Sequence, residues 1–98
     1  MFPRPDEWRL KQQFDRFHRE NPHVYVQLRV LAYRWRERHP RAKCGIGMLY
    51  EVARWTLAFE TQGEPLKLNN NYHAFYARLL MEQEEALDGI FEIREQRA

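Results

Sequence analysis

Ninety-eight residues, 44% hydrophobic and 31% charged, suffice for one domain with a modest core. A net charge of +2 singles out no class of partner, no apolar run approaches the length of a membrane span, and the opening Met1-Phe2-Pro3-Arg4-Pro5 lacks the apolar stretch of a signal peptide. A single cysteine, Cys44, excludes an internal disulfide and fits a reducing cytoplasm, where the chain is expected to reside.

Residues 1–5, with two prolines, predict a loose arm. Asp6 and Glu7 then suit a helix start, where carboxylates meet the positive end of the helix dipole. Leu10, Phe14 and Phe17 give that helix one narrow apolar stripe. It should stop near Glu20, because a residue before proline is pushed out of the α region. Asn21 is expected to cap the second helix, with Pro22 at its first position, where the missing N–H costs nothing.

The second helix runs to about Arg38 and carries two apolar stripes, Val24/Leu28/Leu31/Trp35 and Val26/Val30/Tyr33, with Arg29, Arg34, Arg36 and Arg38 between them. A short basic connection, His39 to Lys43, leads to a third helix that starts at Cys44-Gly45-Ile46-Gly47 and ends near Glu60. It is two-sided again: Ile46/Leu49/Ala53/Leu57 and Met48/Val52/Trp55/Phe59. Two such helices strain a small domain, which has little interior. Either they cross at the centre, covered by the first and fourth helices, or one stripe is buried against a second copy in a homodimer.

Thr61 to Pro65 reads as a turn and Leu66-Lys67-Leu68 as a short extended piece. Asn69-Asn70-Asn71 then caps a fourth helix, Tyr72 to about Gln83. Its predicted core face is Tyr72/Phe75/Tyr76/Leu79/Leu80 and its outer face Ala74/Ala77/Met81, flanked by His73 and Arg78. Leu87-Asp88-Gly89 looks like a turn, and Ile90 to Arg94 is either a strand or a last helical turn. The fold class is all-α, or mainly α with a short terminal strand: a single four-helix domain over residues 1–98. The element order is compatible with a winged or extended helix-turn-helix, although the 61–71 connection is long for the compact version.

No catalytic or metal motif stands out, and no cofactor is expected. His18, His23, His39 and His73 have no metal-ligand spacing, and Gly45-x-Gly47 lacks both the rest of a dinucleotide fingerprint and a preceding strand. Cys44 reads as a small thiol at a helix start. Charge, by contrast, is uneven. Residues 1–43 hold 11 Lys/Arg against 5 Asp/Glu, hence +6, and residues 44–98 hold 5 against 9, hence −4. Either the first half is a nucleic-acid footprint or the halves pair with each other.

The series Asn21-Pro22-His23-Val24-Tyr25, Glu51-Val52-Ala53-Arg54-Trp55, Leu68-Asn69-Asn70-Asn71-Tyr72, Tyr76-Ala77-Arg78-Leu79 and Gly89-Ile90-Phe91-Glu92 resembles a family of small, uncharacterised phage and prophage proteins. The resemblance covers roughly residues 14–94 and implies a phage origin without implying an activity.

Two non-enzymatic readings follow. In the first, the chain is a small regulator that binds double-stranded DNA. Asn69, Asn70, Asn71, His73 and Arg78 then face the groove, and Lys67, Arg34, Arg36, Arg38, Arg41 and Lys43 hold phosphates. In the second, it is an inhibitor or adaptor that engages a host protein through the Ala74/Ala77/Met81 face. Neither reading involves a membrane.

Overall fold

The Asn21-Pro22 step divides the first part of the chain into two helices, α1 (Pro5–Glu20) and α2 (Pro22–Arg38). Two more follow, α3 (Ile46–Glu60) and α4 (His73–Gln83), with 3-10 turns at Asn70–Tyr72 and Glu85–Leu87. These come from a computed structural model that describes residues 5–60 and 68–92. The architecture is the expected all-α four-helix domain. Of the arm expected at 1–5, Pro5 instead begins α1; residues 1–4, the turn at 61–65, Leu66, Lys67 and the end of the chain from 93 lie outside the described residues.

Among the described residues no strand forms, so they carry no wing. The terminal segment makes a single parallel bridge instead, Cys44 to Phe91, in which the Cys44 N–H donates to the Ile90 carbonyl at 2.8 Å. Gly89 makes the bend before it at φ +74°, a left-handed conformation that side chains with a Cβ resist. The chain thereby returns to the start of α3.

Each helix buries one face. Phe14 comes from α1, Val24, Leu28 and Ala32 from α2, Leu49, Tyr50, Ala53 and Leu57 from α3, and Tyr76, Ala77 and Leu80 from α4. Leu87, Ile90 and Phe91 close the core from the C-terminal side. Each large apolar side chain taken fully out of water stabilises by about 1.5–3 kcal/mol before chain entropy is subtracted. Aromatic contacts tie α1 to α4: the Phe14 ring lies 5.1 Å from Phe75, 4.8 Å from Tyr76 and 5.6 Å from Tyr72, the last two edge-on.

Of the two alternatives expected for α2 and α3, the crossing at the centre with cover on both sides is corrected, although Tyr33 of the second α2 stripe is half-buried. Val26 and Val30 of α2 are 51% and 40% exposed, and the whole second stripe of α3 faces outward. The molecule measures 40 × 39 × 20 Å. A helix with its side chains is about 10 Å across, so this slab is about two helices thick and has no central position to offer.

Asn21 also departs from expectation. Its side chain makes no cap on α2. The amide Nδ2 donates instead to the Phe17 carbonyl at 3.0 Å, and the Asn21 N–H donates to the same oxygen at 2.8 Å. Asn21 therefore closes α1, leaving Pro22 to start α2 without an N–H to satisfy.

Candidate interaction surface

On a helix, positions 180–240° from the buried direction make the outer face. In α3 these are Met48, Val52, Trp55 and Phe59, exposed by 47%, 43%, 65% and 78%. Their spacing of four, three and four residues repeats the seam of a coiled coil. The Trp55 and Phe59 rings rest on each other, with centroids 5.4 Å apart.

The flanks of the stripe are nearly free of charge. Thr56 donates its hydroxyl to the Val52 carbonyl at 2.9 Å, and Ala58 adds only a methyl group. Glu51 is paired with Arg54. Arg54 in turn points away from the stripe, donating to the Leu68 carbonyl at 3.1 Å and to Asn70 Oδ1 at 2.5 Å.

Toward α2 the stripe continues into a shallow groove lined by Leu31, Trp35, Met48, Leu49 and Val52, with Arg34, Arg38 and His39 along its edge. Trp35 is fixed there by its indole N–H, which donates to the Ala42 carbonyl at 3.1 Å, and by His39, whose ring lies 4.5 Å away.

Among the described residues, those expected to meet DNA do not all share one surface. Asn69 caps the 3-10 turn that precedes α4 and not α4 itself, whose N-cap Tyr72 makes no side-chain cap: the Asn69 Oδ1 accepts from the Asn71 N–H at 2.9 Å, and its carbonyl accepts from the Tyr50 hydroxyl at 2.8 Å. Asn70 is held by Arg54, and Asn71 is exposed. His73 turns inward, edge-on to Tyr50 at 4.3 Å, with Nε2 buried and unpartnered. Burial lowers its pKa, and the Arg54 charge lowers it further. Arg78 lies on the α1 side of α4, beside Lys11, Asp15, His18 and Glu82. Lys67 lies outside the described residues.

Arg36 is engaged within the molecule. It donates to the carbonyls of Pro40 at 3.2 Å, Ala86 at 3.2 Å and Asp88 at 2.8 Å, lashing the C-terminal segment to α2. Arg34, Arg38, Arg41 and Lys43 are exposed, and none forms an ion pair among the described residues. The predicted outer face of α4 is corrected in part: Ala74 is exposed as expected, but Ala77 is 1% exposed and Met81 half-buried, because α4 packs them against its neighbours.

Lys43 and His73 do come together, across a cleft of about 390 Å³ where the start of α3 meets the first turn of α4. Cys44 borders this cleft, but burial pushes its thiol up to about 11, so the nucleophilic thiolate is scarce at neutral pH. Among the described residues no group of three His, Cys, Asp or Glu side chains could hold a metal ion. No helix among them is long and apolar enough to cross a membrane.

The α3 stripe is the feature that sequence reasoning did not place. Its periodicity was legible, but of its two expected locations, the interior or a contact with a second copy, the interior does not hold. No family model, no curated protein and no solved structure matches the chain.

Proposed function

We propose that the protein is a protein-binding module that presents the outer face of α3 to a helix of another chain. The observation that carries this reading is the 4-3-4 stripe of Met48, Val52, Trp55 and Phe59, left on the surface of a domain whose core is already filled. Weighted by their exposures, four such side chains leave on the order of 450 Å² of apolar surface, as large as patches that mark interaction sites. Aromatic residues and methionine are also the types enriched at interfaces. Trp55 and Phe59 are the expected anchors, and the neutral flanks let another helix approach closely. Either a second copy or, in the phage setting the motifs suggest, a host protein satisfies this reading.

The test is capture of a partner on immobilised protein under nuclease treatment, comparing wild type with Trp55→Glu/Phe59→Glu. Association that survives nuclease and disappears in the variant supports the reading. If neither self-association nor any captured partner depends on these two residues, the reading fails.

A second reading, binding of double-stranded DNA, is favoured by one observation: Arg34, Arg38, Arg41 and Lys43 stand exposed around the end of α2 and the connection after it. Retardation of DNA at low salt, weakened by Arg41→Ala equally for all sequences, supports it. No retardation at low salt rules it out.

A further inference from the structure

We infer that the occupant of the α3 face is a second copy of this chain, with the two α3 helices antiparallel about a two-fold axis. This rests on the interface reading above and names its partner. Three observations point to a copy and not to a foreign helix.

The first is register. Antiparallel pairing that sets Met48 against Phe59 of the second copy also sets Val52 against its Trp55, because both pairs are centred between Ala53 and Arg54. That centre is close to the middle of α3, Ile46–Glu60, so the two helices overlap along their full length. Each ring then meets a slimmer side chain, where a parallel pair would set Trp55 on Trp55 and Phe59 on Phe59.

The second is charge. Arg34 and Arg38 edge the groove beside Met48. Antiparallel pairing brings the Phe59–Glu60 end of the second copy to that edge, so the exposed Glu60 carboxylate arrives beside two arginines. Inside the seam no like charges meet, since Glu51 is neutralised by Arg54 and falls opposite Thr56, and the other charged flank, Glu60, lies at the end.

The third is area. Two stripes of on the order of 450 Å² each, with their flanks and the groove edge, exceed the ~1,000 Å² that separates a specific interface from a chance contact. A two-fold pairing covers the same patch on both copies and leaves neither stripe in water.

The experiment is sedimentation equilibrium of the full chain over a wide concentration range, with three sets of variants. Wild type is expected to show a monomer–dimer equilibrium. Trp55→Glu is expected to raise the dissociation constant more than about 30-fold, the scale of a hot-spot residue. Trp55 lies outside the core, so the monomer is expected to keep its helical circular dichroism. Arg38→Glu should weaken the dimer, and Arg38→Glu with Glu60→Arg should restore much of it, a recovery that a misfolded variant cannot give.

For orientation, an equimolar mixture of Met48→Cys and Phe59→Cys chains should oxidise to the mixed disulfide, while buried Cys44 stays out of the reaction. A wild-type monomer at all concentrations overturns the second copy. If that monomer still captures a partner through Trp55 and Phe59, the interface reading stands without it. A dimer untouched by Trp55→Glu overturns the second copy on this face, and the interface reading falls with it when no captured partner depends on Trp55 and Phe59 either. Preferential Met48→Cys self-linkage overturns the antiparallel pairing.

Discussion

Two core tyrosines allow one substitution to be made twice with opposite signs. Tyr50 and Tyr76 are both fully buried. The Tyr50 hydroxyl donates to the Asn69 carbonyl at 2.8 Å, whereas the Tyr76 hydroxyl has no partner. Tyr50→Phe removes a made hydrogen bond and should cost about 1 kcal/mol. It leaves no bare acceptor, because the Asn69 carbonyl still receives the Tyr72 N–H at 3.1 Å. Tyr76→Phe removes a hydroxyl that was dehydrated without compensation, and should stabilise by about 1 kcal/mol. The ring contacts of Tyr76 with Phe14 at 4.8 Å and with His18 at 6.1 Å survive the change. At this chain length about 1 kcal/mol moves the melting temperature by about 4–8 °C, so the two variants should straddle wild type by about 10 °C. Calorimetry or urea unfolding with an unchanged m-value measures it. If Tyr76→Phe destabilises as much as Tyr50→Phe, the Tyr76 hydroxyl has a partner and the reasoning fails.

Arg36→Ala should destabilise by about 1–2 kcal/mol and speed amide exchange at Ile90 and Phe91, since it releases the Ala86 and Asp88 carbonyls of the C-terminal segment as well as that of Pro40. Unchanged exchange there would show that the Cys44 bridge alone suffices. Burial lowers the pKa of both His18 and His73 below 6.5, opposed at His18 by Asp15 and deepened at His73 by Arg54. A depressed histidine contributes stability that is present above pH 6.5 and lost as the pH falls through the folded value. The urea midpoint should therefore drop from about pH 7 to about pH 5, and drop less in His18→Gln/His73→Gln; equal slopes would refute the assignment. At the alkaline end, burial pushes Tyr50 from 10.0 up to about 12, so its share of stability is whole below pH 10 and lost as the pH climbs toward 12. Cys44, 2% exposed, should resist thiol reagents until the chain unfolds. Rapid labelling of the native protein would mean that the bridge to Phe91 opens readily.

The helices were legible where the chain uses proline and period. Asn21-Pro22 fixed one boundary, and the apolar repeats gave the buried faces of α2 and α3. What the sequence could not show was the use of small or ambivalent residues. Ala32 and Ala77 are buried because helices approach most closely where side chains are short. On a hydropathy pattern, such alanines look like an unimportant outer face. Asn21 could serve either helix it separates, and only the folded geometry sends its amide to Phe17. The candidate surface was legible as a stripe of four residues, but periodicity records that a face is apolar and not what covers it.

The charge asymmetry divides in the same way. Part of it is internal: Arg29 pairs with Glu84, whose other oxygen accepts from the Tyr33 hydroxyl at 3.2 Å, and Arg36 spends its charge on carbonyl dipoles. Arg36 and Arg38 also sit in the last turn of α2, where cations complement the helix dipole whether or not a ligand is bound. That leaves Arg34, Arg38, Arg41 and Lys43 as the cations grouped at that end, and it bounds the DNA reading numerically. Contacts from these four give a slope of log affinity against log salt of about −3.6. Recruiting Lys67 and Arg78 as well would steepen it to about −5.4. Each Arg→Ala change among the four should flatten the slope by about one, while Arg36→Ala should lower stability and leave the slope alone. A slope that flattens for Arg36→Ala instead would mean that Arg36 leaves its carbonyls to bind phosphate, and that the C-terminal segment is released when DNA binds.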